Sequence, residues 1–412
     1  MMENKKMPEI LSPAGNFEKM KFDSLYGADA VYFAGELFGM RAMAGNFTND
    51  ELKKASEYLH SLGKKGYLTL NTMPRAKDIA LLEEYLEVVE DAGVDAVIVA
   101  DLGVFDIVRK RLPKTDIHIS TQGANMNYAS CRMWHELGAT RVVLARELSL
   151  DDIADIRAKV PKELELEAFV HGAMCVSVSG RCLLSEYYTG RDANRGACAQ
   201  PCRWVYNFAE EKRPDDVMTG EVHPEGTYIF GSKDMNTIEH IPELVSAGID
   251  SFKIEGRMKS AYYTAVVTNS YRMALDAYFK GELSEALVTS LINELNSVSH
   301  REYCTGYFFT TPEKNSNLAS TTGYEREKAF YATVESYNKE TGRALCRQRN
   351  KMTRGDKAEL LSPGKIGVPF TIGELFDEKG NSINSTPHAQ MLFEMEAPFE
   401  LCCGDVIRGS NE

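Results

Sequence analysis

Four cysteines lie close together near the middle of the chain. Cys175, Cys182, Cys198 and Cys202 follow the spacing C-x6-C-x15-C-x3-C. Four thiolates in one short segment can surround a metal centre, and the candidates are a zinc ion and a [4Fe–4S] cluster. Zinc sites favour two tight ligand pairs, and only Cys198 and Cys202 approach that spacing. The pattern therefore favours the iron–sulfur cluster.

Two other interpretations of these cysteines remain open. They can be buried free thiols, which are common in protein cores. Alternatively, His171 and Cys175 can form a catalytic pair, in which the imidazole activates the thiol. The five remaining cysteines are scattered along the sequence, and we expect each to pack in a core: Cys131, Cys304, Cys346, Cys402 and Cys403.

Polar side chains end several strand-like segments. They include Asn71, Asp101, Gln122, Arg146, His171, Glu255 and Arg257. If the strands are parallel, these ends meet at one edge, where catalytic groups of barrel enzymes lie. Lys253, Glu255 and Arg257 are spaced by two, so a strand would turn all three to one side. The alternative is a network of salt bridges with no catalytic role.

The elements that would position these residues alternate between strands and helices. Eight strand-like segments occur at 9–15, 29–35, 66–71, 95–101, 116–122, 141–146, 165–171 and 251–257. Helical periodicity between them indicates parallel βα units. Eight units over this length predict a TIM-type (β/α)8 barrel. The alternative, a doubly wound sheet, is less favoured because no strand is followed by G-x-G-x-x-G.

Length and composition set the domain organisation. The chain has 412 residues, of which 43% are hydrophobic and 26% charged, which is typical of a globular protein. We predict a barrel domain over 1–330, with a cysteine-rich insertion at about 174–235. A small all-β barrel domain follows over 331–412. No apolar run is long enough to span a membrane and no secretory signal is evident, so we expect a cytoplasmic protein.

Three motifs resemble those of a known family. The segment E-x-F-V-H-G-A-M-C-x4-G-x-C, which begins at Glu167, resembles the signature of peptidase family U32. L-S-P-A-G, ending at Gly15, and F-K-I-E-G-R-M-K, beginning at Phe252, are similar to other parts of that family. Some members are described as collagenases. Others are prephenate-dependent proteins that form 5-hydroxyuridine in tRNA or a hydroxycytidine in ribosomal RNA, and the chain most resembles the tRNA-modifying branch.

The resemblance implies a [4Fe–4S] cluster on the four clustered cysteines. A peptidase would need a recognisable nucleophile or metal motif, and the sequence has no H-E-x-x-H, G-x-S-x-G or ordered triad. If all four cysteines hold a cluster, none of them remains as a nucleophile. We therefore expect a hydroxylase, with a U32-family peptidase as the alternative.

Prephenate, the hydroxyl source that the resemblance implies, carries two carboxylates. Arginine binds a carboxylate through two parallel hydrogen bonds. We therefore expect Arg146 and Arg257 to bind it, together with Gln122. Lys253, Glu255 and His171 are the candidate catalytic residues, and His171 is a candidate proton relay. The sequence leaves open whether a paralogous subunit of the same family is needed.

Binding of tRNA needs local positive charge in a chain whose net charge is −13. The segment 339–357 holds seven basic and two acidic residues, a net charge of +5, and 181–203 has a net charge of +2. We expect phosphate contacts from the first segment: Arg343, Arg347, Arg349 and Lys351. In the second, Tyr187, Tyr188 and Trp204 can stack on unpaired bases. The alternative is an ordinary solvated surface.

Overall fold

The computed structural model describes residues 6–40, 45–175, 182, 184–206, 209–210, 213–217, 222–223, 226–228, 232–310, 325 and 327–410. The chain divides into two compact units. The barrel unit comprises Met1–Ser24, Ala28–Lys259 and His300–Tyr324, and the C-terminal unit comprises Leu25–Gly27, Ser260–Ser299 and Glu325–Glu412. Within the described residues, no helix combines the length and apolar character needed to cross a bilayer.

Eight parallel strands close into a barrel in the first unit. They are β1 (Glu9–Pro13), β2 (Ala30–Phe33), β3 (Lys65–Leu70), β4 (Ala96–Val99), β5 (Asp116–Ile119), β6 (Arg141–Val143), β7 (Glu165–Ala173) and β8 (Ser251–Ile254). Each strand pairs with the next along the chain, and β8 pairs with both β7 and β1. This closure confirms the predicted TIM-type fold.

Helices connect the strands, and four of them begin at a side chain that caps the helix. Capping boxes at Thr48 and Ser149 start two helices, and the side chains of Asp101 and Asn127 accept backbone hydrogen bonds at two more. The helices up to β7 are Phe17–Leu25, Asn49–Ser61, Ile79–Ala92, Leu102–Arg111, Tyr128–Leu137 and Leu150–Lys159. Short 3-10 turns lie at Ala76–Asp78 and Thr121–Gly123.

The long connection from β7 to β8 contains the four clustered cysteines. Its first helix is Leu184–Thr189, and short 3-10 turns follow at Ala193–Arg195 and Pro201–Arg203. Small antiparallel pairings join Val205–Tyr206, Gly226–Tyr228 and Val222–His223, and likewise Ala209–Glu210 and Arg213–Val217. Asp234–Asn236 then pairs antiparallel with the end of β7 and parallel with Tyr303–Cys304. A turn at Ile238–His240 and the helix Ile241–Ser246 lead into β8.

The C-terminal unit combines two helices with an antiparallel sheet. The helices are Ala261–Lys280 and Glu285–Asn296. The strand order is Val368–Thr371, Lys357–Leu361, Val406–Gly409, Phe330–Asn338, Arg343–Gln348, Leu392–Glu396, Leu375–Phe376 and Ser382–Ile383. In the described residues the first and last strands do not pair with each other, so the predicted small β domain is a half-barrel. The buried Arg408 binds Glu294 and Glu359, at 2.7 Å each.

Candidate functional site

A cavity opens among the C-terminal ends of the barrel strands. Its volume is about 550 Å³, counting the part open to solvent. Six residues predicted from the strand ends and the last strand line this mouth cavity: Asn71, Gln122, Arg146, Lys253, Glu255 and Arg257. Because catalytic residues of barrel enzymes lie at this face, the mouth cavity is the candidate active site of the barrel unit.

The charges of the mouth cavity are mostly positive. Arg146, Lys253 and Arg257 contribute three cations, and Glu255 is the carboxylate among the lining residues. Glu255 Oε2 lies 3.9 Å from a terminal nitrogen of Arg146 and 3.4 Å from the Tyr32 hydroxyl. Since partly buried charges are poorly screened by water, this arrangement suits an anionic ligand.

Lys253 is held in place by a buried network of ion pairs. Its Nζ lies 2.5 Å from Glu167 Oε1, and the other oxygen of Glu167 lies 3.0 Å from Arg141. Arg141 also binds Glu9 at 2.7 Å and Glu165 at 2.6 Å. The strand register explains why these charged residues meet, because β6 and β7 pair Arg141 with Glu165 and Val143 with Glu167. The network holds the Lys253 ammonium at the cavity with little freedom to turn.

Arg146 presents a guanidinium that is only partly engaged. It donates to the Ala173 carbonyl at 2.6 Å and lies 3.8 Å from the centre of the Phe169 ring. Its Nε is buried and has no hydrogen-bond partner within the described residues. The hydroxyl of Thr69, which also lines the cavity, is buried and unpartnered within the same residues. Buried polar groups normally have partners, so both groups are suited to a bound ligand.

Arg257 is more tightly engaged. Its terminal nitrogens donate to the Met40 carbonyl at 2.7 Å and to Asn46 Oδ1 at 2.6 Å. These bonds hold two points, Met40 and Asn46, of the connection that follows β2. A guanidinium has five donors, so Arg257 can hold this connection and still contact a ligand.

Glu255 owes its position to a close approach of β7. Its backbone N–H donates to the His171 carbonyl at 2.9 Å. Gly172 lies against the Glu255 backbone with φ +104°, and a side chain there would clash. Glycine accepts this left-handed conformation without strain, so Gly172 permits the approach that places Glu255 at the cavity.

His171 is the one predicted catalytic residue that does not line the mouth cavity. The strand β7 continues past it to Ala173, and the pairing with Asp234–Asn236 covers it. Burial lowers the pKa of His171 to about 3, although the nearby Asp234 carboxylate partly opposes this shift. The imidazole is therefore neutral at pH 7, and this environment does not favour a proton relay at that pH.

The four clustered cysteines lie in the connection after β7, and none of them forms a disulfide with another described residue. Cys175 is exposed, and Cys182, Cys198 and Cys202 are partly exposed. Within the described residues, no three histidine, cysteine or acidic side chains converge to hold a metal ion. The residue types suit an iron–sulfur cluster, but the side-chain placement does not form its ligand set.

The other five cysteines divide into two groups. Cys131 and Cys346 are buried, as expected for core residues, and Cys304 is partly buried. Cys402 and Cys403 are exposed at a turn of the C-terminal unit, so core packing was the wrong expectation for them. Apolar neighbours in the sequence do not reveal that a turn carries the pair to the surface.

The predicted RNA-contacting residues lie in the C-terminal unit, where carboxylates neutralise part of their charge. Arg343 lies 3.6 Å from Glu394 and packs on the Phe376 ring, and Arg347 binds Glu335 at 2.7 Å. Arg349 lies near the Phe330 ring, and Lys351 is exposed. Lys351 is thus the member most available to a phosphate, and the RNA contact stays a prediction.

Sequence reasoning missed Arg141, Glu167 and Thr69 as parts of the site. Arg141 opens a strand and therefore looks like a solvent-exposed end. Glu167 lies in the family motif. It is two residues from Phe169, and residues two apart on a strand point to the same side, which is a weak signal that Glu167 faces the barrel interior. Only the register across β6 and β7 shows that Arg141 and Glu167 meet.

Comparisons with known proteins agree with the motifs. A model of peptidase family U32 matches residues 15–318, and a model of the U32 C-terminal domain matches 326–408. The chain is 36% identical over 404 residues to tRNA hydroxylation protein P1 of Bacillus subtilis, covering 98% of this chain and 95% of the relative. It is 34% identical over 420 residues to tRNA hydroxylation protein P of Escherichia coli, covering 92% and 91%. It is also 34% identical over 310 residues to a protein named collagenase from Porphyromonas gingivalis, covering 73% of each.

Proposed function

The chain belongs to peptidase family U32, and we propose that it is an enzyme that hydroxylates C5 of a wobble uridine in tRNA. The observation that carries the proposal is the mouth cavity, where three cations and one carboxylate lie at the catalytic face of a closed barrel. Relatives that cover more than nine-tenths of the chain are named tRNA hydroxylation proteins, which supports the same reaction. A uridine in an anticodon loop is already unpaired, so its entry costs little unstacking energy.

The hydroxyl source in this proposal is prephenate. Its two carboxylates match the surplus of positive charge in the cavity. Arg146 offers a buried Nε that has no partner among the described residues, and Arg257 adds a second guanidinium that is already held by the connection after β2. The Lys253 ammonium adds a positive charge at the cavity wall. Gln122 supplies an amide that can bond either substrate.

The carboxylate of Glu255 is the candidate proton acceptor of the cavity in this proposal. It lines the cavity, and its Oε2 lies 3.9 Å from a terminal nitrogen of Arg146. Lys253 orients the reactants by binding the anionic substrate, while Glu167 keeps its ammonium in place. These assignments give each charged residue of the cavity a task that its contacts permit.

The cofactor in this proposal is a [4Fe–4S] cluster on Cys175, Cys182, Cys198 and Cys202. Such a cluster supplies redox chemistry that protein side chains lack. Within the part of the chain that the structure describes, the thiols do not converge on one site, and the roles given above belong to side chains of the cavity alone. The support is the close spacing of the four cysteines in the sequence and the family motif.

The test is mass spectrometry of tRNA nucleosides from a bacterial strain whose own uridine-hydroxylating genes are deleted. Expression of the chain should restore 5-hydroxyuridine, and expression of Glu255→Gln should not. Equal nucleoside profiles with and without the chain would overturn the proposal.

The second candidate is a peptidase, which the similarity to a protein named collagenase favours. A peptidase would cleave gelatin, and Cys175→Ser would abolish cleavage if Cys175 were the nucleophile. If the purified protein cleaves gelatin in this way, and its expression restores no 5-hydroxyuridine, the peptidase replaces the hydroxylase as the proposed function.

A further inference from the structure

Three large aromatic side chains are exposed on the connection that follows β7. Tyr187 is 82% exposed, Tyr188 is 45% exposed and Trp204 is 42% exposed. The two tyrosine rings meet edge to face, with centroids 5.1 Å apart. Exposed aromatic residues in a group usually mark an interaction site. We call these three side chains the aromatic surface.

The aromatic surface belongs to one folded piece. The hydroxyl of Ser185, which is completely buried, accepts a hydrogen bond from the backbone of Ala199 at 2.9 Å. This bond joins the helix Leu184–Thr189, which carries both tyrosines, to the segment just before the turn Pro201–Arg203. Trp204 follows that turn directly, so all three rings have a common support.

Two ion pairs attach this piece to the connection after β3. Arg195 binds Asp78 at 2.7 Å and donates to the Met73 carbonyl at 3.4 Å. Arg75 lies 4.0 Å from Glu186. Asn71, only two residues before Met73, lines the mouth cavity. The piece that carries the aromatic surface is therefore attached to a connection whose first residue, Asn71, lines the cavity in which we place the reaction.

The charge around the aromatic surface is positive. The segments 75–78 and 184–204 together hold five basic and three acidic residues, a net charge of +2, in a chain of net charge −13. Positive charge beside exposed rings is the combination that binds single-stranded nucleic acid, because the cations track the phosphates while the rings stack on bases.

We propose that the aromatic surface binds the single-stranded RNA that flanks the target uridine, with Tyr187 stacking on a base. The inference rests on the proposed function and adds the surface that guides the loop to the cavity. Stacking does not depend on base identity, so this contact contributes affinity and position rather than sequence selection.

The test measures binding of a fluorescein-labelled, uridine-rich oligoribonucleotide by anisotropy, with full-length protein purified anaerobically. Loss of one stacked base corresponds to at least about a fivefold loss of affinity, which is the expected effect of Tyr187→Ala. Tyr187→Phe keeps the ring and should bind like the wild type. Tyr128→Ala, which removes an exposed ring elsewhere on the barrel unit, is the matched control and should have no effect.

The outcomes separate this inference from the proposed function. If the wild type binds the RNA and Tyr187→Ala binds it equally well, the surface proposal fails and the hydroxylase proposal stands. If Tyr187→Phe is as weak as Tyr187→Ala, the hydroxyl acts rather than the ring, and stacking is overturned. If Tyr187→Ala instead weakens binding to gelatin alone, the surface binds peptide. A wild type that binds no RNA overturns both proposals.

Discussion

Lys253 and Glu167 form an ion pair inside the barrel, with 2.5 Å between Nζ and Oε1 and both side chains almost fully buried. The same carboxylate binds Arg141 at 3.0 Å. One acidic residue thus connects a cation of the mouth cavity to the charges deeper in the barrel. The position of Lys253 in the cavity depends on a residue that does not line it.

Replacing Glu167 should therefore destabilise the barrel. Glu167→Gln preserves the size of the side chain but leaves two buried cations short of a counter-charge, and removal of one partner from a buried pair costs about 3–5 kcal/mol. We expect a lower urea midpoint. Asp106→Asn, which breaks exposed pairs with Arg109 and Lys110, is the control and should change the midpoint little. Equal urea midpoints for wild type and Glu167→Gln would show that the ion pairs of Glu167 do not stabilise the barrel.

The buried His171 should make stability depend on pH. Its pKa is about 3 in the folded protein because of burial, whereas an unfolded histidine binds a proton below about pH 6.5. As pH falls from 7 to 5, the unfolded state gains protons that the folded state does not, so the free energy of unfolding decreases by about 2 kcal/mol.

Urea unfolding of wild type and His171→Gln at pH 7, 6 and 5 measures this effect. The difference in stability between the two proteins should shrink by about 2 kcal/mol towards pH 5, because glutamine does not titrate. The exposed His388→Gln is the control and should parallel the wild type. A difference that stays constant with pH would contradict the burial of a neutral imidazole.

The cysteine cluster predicts a specific metal content. Protein purified without oxygen should contain about four irons and four sulfides per chain, as a cluster held by four thiolates requires. Cys198→Ser should lose most of the iron, because a hydroxyl is a poor ligand for these centres. Cys403→Ser removes an exposed thiol of the C-terminal unit and should retain the iron. Stoichiometric zinc without iron would exclude the iron–sulfur cluster.

The basic segment of the C-terminal unit should contribute to tRNA affinity through phosphates. Lys351→Ala should weaken binding and reduce the slope of log affinity against log salt by about 1. Arg343→Ala and Arg347→Ala should have smaller effects, because neighbouring carboxylates already pair with them. Lys379→Ala, at an exposed turn, is the control. If none of these substitutions changes the slope of log affinity against log salt, the residues do not contact phosphates and belong to the ordinary solvated surface.

Much of the barrel could be predicted from the sequence because its signal is local. Most strands are short apolar runs with polar residues at their ends, and parallel strands bring those ends together. Gln122, Arg146 and Glu255 are far apart in the sequence, yet they line the same cavity. This agreement follows from the periodicity of β-strands and the geometry of barrels.

The remaining features depend on long-range pairing, which local patterns do not encode. His171 looks like a strand end, but a later segment, Asp234–Asn236, extends the sheet and buries it. Glu9 and Arg141 meet only because the barrel closes. Similarly, the net charge of the segment 339–357 did not reveal that Glu335 and Glu394 lie across from its arginines.

The measurement that tests the account most directly is a reconstituted reaction. Anaerobically purified protein is incubated with tRNA from a strain that lacks the modification, with and without prephenate, and the nucleosides are analysed by mass spectrometry. 5-Hydroxyuridine should form only with prephenate. Arg257→Lys should lose at least about tenfold of the activity, because a point charge cannot replace a guanidinium fork. Arg111→Lys, an exposed residue paired with Glu90, should remain active. Iron-loaded wild type that adds no oxygen to uridine in the presence of prephenate would contradict the account.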